Sequence, residues 1–368
     1  MRKLVSQWLD QPSPALVTHK SCVLTKNEIP TPALLVDLDL LDKNIQRMAV
    51  HVKKTGKHLR PHAKAHKCSE IAKRQLAAGA IGVCVATVAE AEVMSSAGIG
   101  GLLLTSPQAD PLKIARAIVT GAMAVVDHVK QVGCFEDAAA AAQRTVDVLV
   151  DLDVGDHRTG ASSLEQAMEI ARAVERAGHL RLRGLQGYFG RASHTEQAER
   201  KEVSESGFRI ATAVRDAMRH EGLSTEILTG VSTGTWLIDS ALPDVTELQA
   251  GSYALMDLDY RRVGLDFEHS LTVLSTVVSA NHPSFVTIDA GLKALATDRG
   301  YGPEAVKFPG AAYRWGGDEF GYLEAPVQLG DKLELIPPHC DPTVNLYDRI
   351  YACRGDRVEA IWAVMDRL

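Results

Sequence analysis

The feature that most constrains the fold is an alternation along residues 58–250, where short apolar or β-branched runs are separated by longer stretches of helical period. A strand that returns parallel to its predecessor needs a crossover of a dozen or more residues, so this spacing points to parallel strands joined by helices. The runs expected to be strands are residues 58–62, 81–86, 101–105, 123–127, 146–153, 182–189, 226–229 and 245–250. The helical stretches among them are 68–78, 87–96, 111–120, 135–143, 163–177 and 195–220. Eight strands in this rhythm predict an α/β fold, a (β/α)8 TIM barrel of about the usual 250 residues. A doubly wound α/β sheet shares the rhythm and stays open as the alternative.

After residue 265 the texture changes. Residues 271–279, 285–289, 332–336, 349–354 and 357–364 are short β-type runs split by Gly, Pro and Asp, which predicts a C-terminal all-β domain. Residues 32–37 are also strand-like and precede the first barrel strand, so the N-terminus is expected to pack with that β domain. The expected division is an N-terminal segment 1–30, a barrel 31–265 and a β domain 266–368.

Composition narrows the function classes. With 46% hydrophobic and 23% charged residues the chain has ample material for a core, and a formal net charge of −6 offers no basic field for a nucleic-acid backbone. Six scattered cysteines, Cys22, Cys68, Cys84, Cys134, Cys340 and Cys353, include no CxxC pair and fit reduced thiols. Residues 1–8 lack the apolar region of a signal peptide, and no apolar run approaches the roughly 18 residues of a membrane span. A cytoplasmic protein with a small-molecule partner, no nucleic acid and no membrane is expected.

In a barrel, the residues just past the C-terminal ends of the strands share one mouth. Reading past each expected strand gives Lys64, Thr87, Ser106, His128, Arg158, Tyr188 and His194. The last two strands lead into Thr229-Gly230-Val231-Ser232-Thr233-Gly234 and Gly251-Ser252-Tyr253. Glycines let backbone N–H groups approach an anion and hydroxyls add donors, and barrels commonly hold phosphate at this place. Read alone, each is equally an ordinary turn.

Lys64 stands in Arg60-Pro61-His62-Ala63-Lys64-Ala65-His66-Lys67. One reading is a solvated basic face. The other is an amine made nucleophilic because cationic neighbours or burial lower its pKa. Pro61 and the extended run predict a rigid strand end, with Arg60, His62 and Lys64 on one face by the period of two.

A second motif is Pro337-Pro338-His339-Cys340-Asp341-Pro342-Thr343-Val344-Asn345-Leu346. If the prolines keep it extended, His339 and Asp341 project to one face and Cys340 to the other. An imidazole and a carboxylate so placed make a partial divalent-metal site with positions open to water or substrate. A polar turn closing the β domain is the other reading, and Cys340 reads as a packed small residue.

Together these segments resemble the fold-type III pyridoxal-phosphate (PLP) enzymes, in particular the D-threonine aldolase and D-serine dehydratase group. The resemblance runs from about residue 30 to the C-terminus. It rests on the Arg60 to Lys67 motif, Leu248-Gln249-Ala250-Gly251-Ser252-Tyr253, Asp289-Ala290-Gly291-Leu292-Lys293 and Pro338-His339-Cys340-Asp341-Pro342-Thr343. It implies an alanine-racemase-type barrel followed by the β domain, and a homodimer. It also implies a PLP Schiff base on Lys64 rather than Lys67, with Arg158 against the cofactor ring and Tyr188 near it. The phosphate would sit against Thr229, Ser232, Thr233, Gly234, Gly251, Ser252 and Tyr253. His339 and Asp341 match the metal ligands of the group.

The resemblance also bears on the reaction. The dehydratase branch carries His-x-Cys and holds zinc, whereas the aldolase branch carries His-x-Asp, the spacing of His339 and Asp341 here. Carboxylate ligation suits Mn²⁺ or Mg²⁺; a one-residue shift onto Cys340 would make Zn²⁺ the alternative. Two departures stand out. Val231 and Ser232 interrupt the expected run of glycines, so the anion site should lean on hydroxyls. Arg191, between Tyr188 and His194, is either a surface residue or a partner for a second substrate carboxylate, as in a 3-hydroxyaspartate. The expected reaction is retro-aldol cleavage of a D-3-hydroxy-α-amino acid to glycine and an aldehyde, with His194 or a metal-bound water taking the hydroxyl proton. The rivals are a dehydratase or racemase on the same scaffold, and a non-catalytic PLP carrier.

Overall fold

The computed structural model describes residues 24–365. Residues 1–8, Cys22 and most of the segment 1–30 therefore lie outside the described residues.

The first strand, β1 (Ala33–Asp37), runs into the 18-residue helix Leu38–Thr55. Asp37 starts that helix by accepting hydrogen bonds from the amides of Asp39 and Leu40 at 2.9 and 3.0 Å. Gly56, at φ 67°, ends it in the left-handed region. The helix buries Leu38, Leu41, Ile45, Met48 and Val52, an apolar stripe at intervals of three and four.

Eight parallel strands follow: β2 (His58–Leu59), β3 (Val83–Val85), β4 (Leu102–Leu104), β5 (Met123–Val126), β6 (Val146–Asp151), β7 (Leu180–Gln186), β8 (Ile227–Val231) and β9 (Glu247–Leu248). They pair in the order β2-β9-β8-β7-β6-β5-β4-β3. The two ends meet through a parallel bridge between His62 and Cys84, with the amides of Ile81 and Cys84 donating to Leu59 and Pro61, each at 2.9 Å. A sheet closed on itself in this way is a barrel, and a doubly wound open sheet is excluded. Strand faces alternate as the period of two requires. Cys84, Leu103, Val125, Leu149 and Ile227 cluster on one side, while Val83, Val85, Leu102 and Leu104 pack on the other against Ala72, Val88 and Met94 of the surrounding helices.

The rest of the chain builds a nine-stranded sheet from β1 and the strands β10 (Leu271–Ser279), β11 (Val286–Ile288), β12 (Glu304–Ala305), β13 (Tyr313–Trp315), β14 (Gly321–Leu323), β15 (Lys332–Ile336), β16 (Arg349–Arg354) and β17 (Arg357–Ala363). β1 lies at its centre, antiparallel to β10 and parallel to β16. Leu24 and Lys26 join the same sheet, through Val358 N–H to Leu24 O and Lys26 N–H to Asp356 O, both at 2.8 Å. The chain thus enters through the β domain, crosses to the barrel along Leu38–Thr55, and returns after residue 265.

Candidate active site

The motif around Lys64 folds differently from the extended strand end expected of it. β2 stops at Leu59, and Ala63–Ala65 is a turn of 3-10 helix capped by His62, whose Nδ1 accepts from the Lys64 amide at 3.4 Å. Lys64 therefore does not continue the face of Arg60 and His62 as it would in a strand. Arg60 is buried toward the barrel interior, donating to both Glu247 carboxylate oxygens at 2.9 and 3.1 Å and to the carbonyl of Gly101. His62 Nε2 lies 3.0 Å from Thr105 Oγ1. Lys67, at φ 46°, turns inward and pairs with Glu90 at 3.1 Å. Lys64 is the lysine at the mouth.

Tyr188 gathers the charges there. Lys64 Nζ lies 5.5 Å from the centre of its ring and the Arg158 guanidinium 5.1 Å. The Lys64 amine is held above its ordinary range, chiefly by Tyr188 and further by Asp341, against burial and Arg158, which push it down. The lowered amine that the cationic neighbours suggested is thus not found, because Tyr188 first, and Asp341 from far along the chain, offset burial and Arg158. Asp341 responds in kind. Burial pushes its carboxyl up, but Lys64 and His339 outweigh this and hold it below the ordinary carboxylate range.

The two hydroxyl-rich turns meet beside this group. Ser232 Oγ is 3.1 Å from Thr235 Oγ1 and in close contact with Ser193 Oγ, which also accepts from the Gly234 amide at 3.2 Å. Gly234 is required by that packing, since a Cβ there would stand 2.4 Å from the carbonyl oxygen of Ser193. A Cβ on Gly251 would likewise meet the carbonyl of His62 at 2.4 Å, so the last turn abuts the Lys64 segment only without a side chain. Tyr253 offers this turn its backbone and not its side chain. Its amide donates to Thr233 Oγ1 at 3.3 Å, but its ring is core, with the hydroxyl accepting from Gln75 Nε2 at 3.1 Å. Ser252 turns to the other motif and donates to Asp341 Oδ1 at 3.2 Å. Thr87 and His128 cap helices.

The residues fit PLP. They offer a primary amine, an aromatic ring and a guanidinium beside it, and a buried turn of hydroxyls and amides. Thr229 Oγ1 is buried with no hydrogen-bond partner among the described residues, and a buried hydroxyl in that state calls for a ligand or water to complete it.

The metal motif is not extended throughout: His339 has extended backbone, but Cys340–Val344 is a short helix that His339 precedes. His339 Nδ1 is 2.8 Å from Asp298 Oδ2, which fixes the ring, so that Nε2, 3.5 Å from Arg299 Nη2, is the nitrogen that would ligate a metal. Cys340 is fully buried, and burial holds its thiol well above the ordinary range, so it is a poor source of thiolate. Among the described residues no three His, Cys, Asp or Glu side chains converge as a ready metal site. A cation here would take His339 and Asp341, with its other positions open, and this donor set suits a hard divalent ion.

His194 follows the short helix Gly190–Ser193 and stacks on Tyr260, ring centres 5.2 Å apart. Its Nδ1 lies 2.8 Å from Asp259, which the sequence reading missed, as it missed Asp298, Arg299 and Ser193. Asp259 and Arg299 lie on segments without a motif; only the position of Asp257 and Asp259 just past the last strand hinted at them. Arg191 is exposed and donates to the carbonyl of Gly155 at 2.7 Å, which favours the surface-residue reading.

The family model of the alanine racemase N-terminal domain matches residues 36–259, and that of a putative serine dehydratase domain matches residues 270–353. The chain is 38% identical over 355 residues to a D-threonine aldolase of Arthrobacter sp, covering 92% of this chain and 93% of the relative. It is 36% identical over 368 residues to a 3-hydroxy-D-aspartate aldolase of Paracoccus denitrificans (strain Pd 1222), covering 94% of each. Among solved structures, the D-threonine aldolase from Filomicrobium marinum superposes with a TM-score of 0.91 at 36% identity, over 95% of this chain and 98% of that one.

Proposed function

The chain belongs to the alanine-racemase-like, fold-type III family of PLP enzymes, in its D-threonine aldolase and D-serine dehydratase group, and on that premise we propose that it cleaves D-3-hydroxy-α-amino acids to glycine and an aldehyde. The observation that carries this reading is the burial of Cys340 as a thiol between His339 and Asp341, while the Asp341 carboxyl is held below its ordinary range by the Lys64 amine and His339. A carboxylate and an imidazole, not a thiolate, then face the substrate's hydroxyl.

When bound, PLP supplies an electron sink for the α-carbon and a divalent metal lowers the pKa of the 3-hydroxyl. Lys64 would hold PLP through its amine, with Arg158 and Tyr188 at the ring. Thr229, Ser232, Thr233 and Gly234, with Gly251, Ser252 and the Tyr253 amide, would line the phosphate end. His339 and Asp341 would hold the metal, Mn²⁺ or Mg²⁺ in our reading, with Zn²⁺ as the alternative. His194 takes the hydroxyl proton as the Cα–Cβ bond breaks, the aldehyde leaves, and a proton returned to the α-carbon gives glycine. The same reading extends to a homodimer and to a cytoplasmic location; among the described residues no helix is long and apolar enough to cross a membrane.

A dehydratase is the second reading, favoured by the match of residues 270–353 to a putative serine dehydratase domain. In it Lys64 takes the α-proton and hydroxide departs. A carrier without activity accounts for Lys64 but gives His339 and Asp341 no task. The products decide. Purified protein with PLP and Mn²⁺, offered D-threonine, D-serine and 3-hydroxyaspartates, should release glycine and aldehyde in equal amounts. Ammonia and a 2-oxo acid in their place would establish the dehydratase.

A further inference from the structure

Beyond the residues that face substrate, one carboxylate behind His194 has no assigned role. Asp259 sits on the helix Leu258–Arg262, which follows the last barrel strand. That helix is tied to the metal motif. The amides of Leu258 and Asp259 donate to the carbonyls of Pro337 and Pro338, both at 3.1 Å, and Asp257 Oδ2 accepts from the Cys340 amide at 2.8 Å. Asp259 is therefore held in a fixed place relative to the segment that carries His339 and Asp341.

The Asp259 carboxylate is held from several sides. Oδ2 lies 2.8 Å from His194 Nδ1 and 3.0 Å from Arg299 Nε, and Oδ1 accepts from the Tyr301 hydroxyl at 3.1 Å. The Arg262 guanidinium covers the Tyr301 ring at 3.5 Å. Arg299 also reaches the far motif, with Nη2 3.5 Å from His339 Nε2. Burial alone would push the carboxyl of Asp259 up, but His194, Arg299 and Tyr301 outweigh burial and keep it below its ordinary range.

We propose that Asp259 is a positioning residue for His194. It keeps the imidazole proton on Nδ1 and so leaves Nε2 as the nitrogen that receives the substrate's hydroxyl proton. An imidazole without such a partner exchanges tautomers and rotates about its own axis, and only one of those arrangements is a base at the right atom. The close contact supplies the selection. The 2.8 Å separation puts Nδ1 within reach of sharing a proton with Asp259 Oδ2, and neither atom makes another hydrogen bond among the described residues. Asp259 touches neither substrate nor cofactor in this account, and its effect passes through His194 alone.

The inference rests on the aldolase reading, and the test separates the two. If the wild-type holoenzyme with PLP and Mn²⁺ makes no glycine and aldehyde from D-threonine, the aldolase reading fails. Given activity, Asp259→Asn should lower kcat about 10- to 100-fold, a part of the ~10²–10⁴ that a positioned general base supplies, with KM changed less than about twofold. In a His194→Ala background the same substitution should cost nothing further, because its route of action is gone. Unchanged kcat, or an equal loss in both backgrounds, would overturn the proposal. Imidazole ¹⁵N NMR of the holoenzyme reads the tautomer without any turnover, with His194 identified by its loss in His194→Gln. The proton should be on Nδ1 in the wild type and redistributed in Asp259→Asn; a wild-type proton on Nε2 contradicts the proposal. If Asp259→Asn does not fold, Tyr301→Phe removes one of the hydrogen bonds to Asp259. It should give a smaller kcat loss that is likewise absent without His194, and a full loss without His194 would again overturn it.

Discussion

Lys67 Nζ lies 3.1 Å from Glu90 Oε1, with both side chains buried. The other oxygen of Glu90 accepts from the Ala86 amide at 2.7 Å, at the start of the helix Val88–Ser96. The second lysine of the motif is thus a strut between that helix and the turn that carries Lys64. Two lysines three residues apart have separate tasks because the left-handed backbone at Lys67 turns the chain between them.

This pair should matter to stability. Glu90→Ala would break a buried ion pair by removing one partner, which typically costs about 3–5 kcal/mol. Denaturant unfolding of the variant should show a loss of that size; a loss under about 1 kcal/mol would mean that Lys67 finds solvent or another anion.

Thr229→Val keeps the side chain's shape and removes a buried hydroxyl that has no hydrogen-bond partner among the described residues. The cofactor-free protein should be as stable as the parent or more so, since an unpaired buried hydroxyl costs about 1–3 kcal/mol. PLP affinity should fall about tenfold or more, the worth of one hydrogen bond to a charged group. Thermal unfolding without PLP and a PLP titration measure the two effects. An unchanged affinity would remove Thr229 from the phosphate end.

Asp298 stands behind His339, and its loss should weaken the metal without touching the cofactor. Asp298→Asn is expected to lower Mn²⁺ affinity about 10- to 100-fold, as partners of metal-bound histidines generally do. Titration of Mn²⁺ into chelator-treated holoenzyme measures this. Chelation itself should stop cleavage while PLP stays bound, and undiminished turnover in metal-free buffer would refute the metal's part.

Asp239 gives a pH signature away from the site. It is 1% exposed, accepts from Ser204 Oγ, and burial pushes its carboxyl up to about 7. An unfolded aspartate titrates near ~3.9, so between those values the native state holds a proton that the unfolded chain has lost. Stability from this group is therefore greatest at low pH and declines as pH rises through about 7, by at most roughly 4 kcal/mol. Asp239→Asn should raise the melting temperature relative to the parent at pH 8, and the advantage should vanish near pH 4. An equal difference at both values would contradict the account.

The barrel was legible because its strands are buried on both faces and read as apolar runs between amphipathic helices. Leu102–Leu104 and Met123–Val126 show this plainly. Strand ends were less legible. Residues 58–62 read as one strand; the regular strand ends at Leu59, pairing persists only through a bridge at His62, and the chain then turns at Ala63–Ala65 to place Lys64 over the mouth. The short strands Glu304–Ala305, Tyr313–Trp315 and Gly321–Leu323 were missed, because two or three residues carry no visible period. In the site, Lys64, His339 and Asp341 stood out through local motifs. Nothing in the sequence told that the Tyr253 hydroxyl would pair with Gln75 in the core while its amide pairs with Thr233 at the turn. Asp259 and Arg299 were illegible for a deeper reason: they matter only through contacts with His194 and His339, each far away in the chain.

The central claim is that Lys64 is the residue that binds PLP, and one measurement addresses it directly. Borohydride reduction of the holoenzyme, followed by proteolysis and mass spectrometry, fixes the cofactor to whichever amine held it. The account predicts a phosphopyridoxyl group on Lys64 and its loss, together with the cofactor's visible absorbance, in Lys64→Ala. The label on Lys67, or a cofactor absorbance that persists in Lys64→Ala, would contradict it.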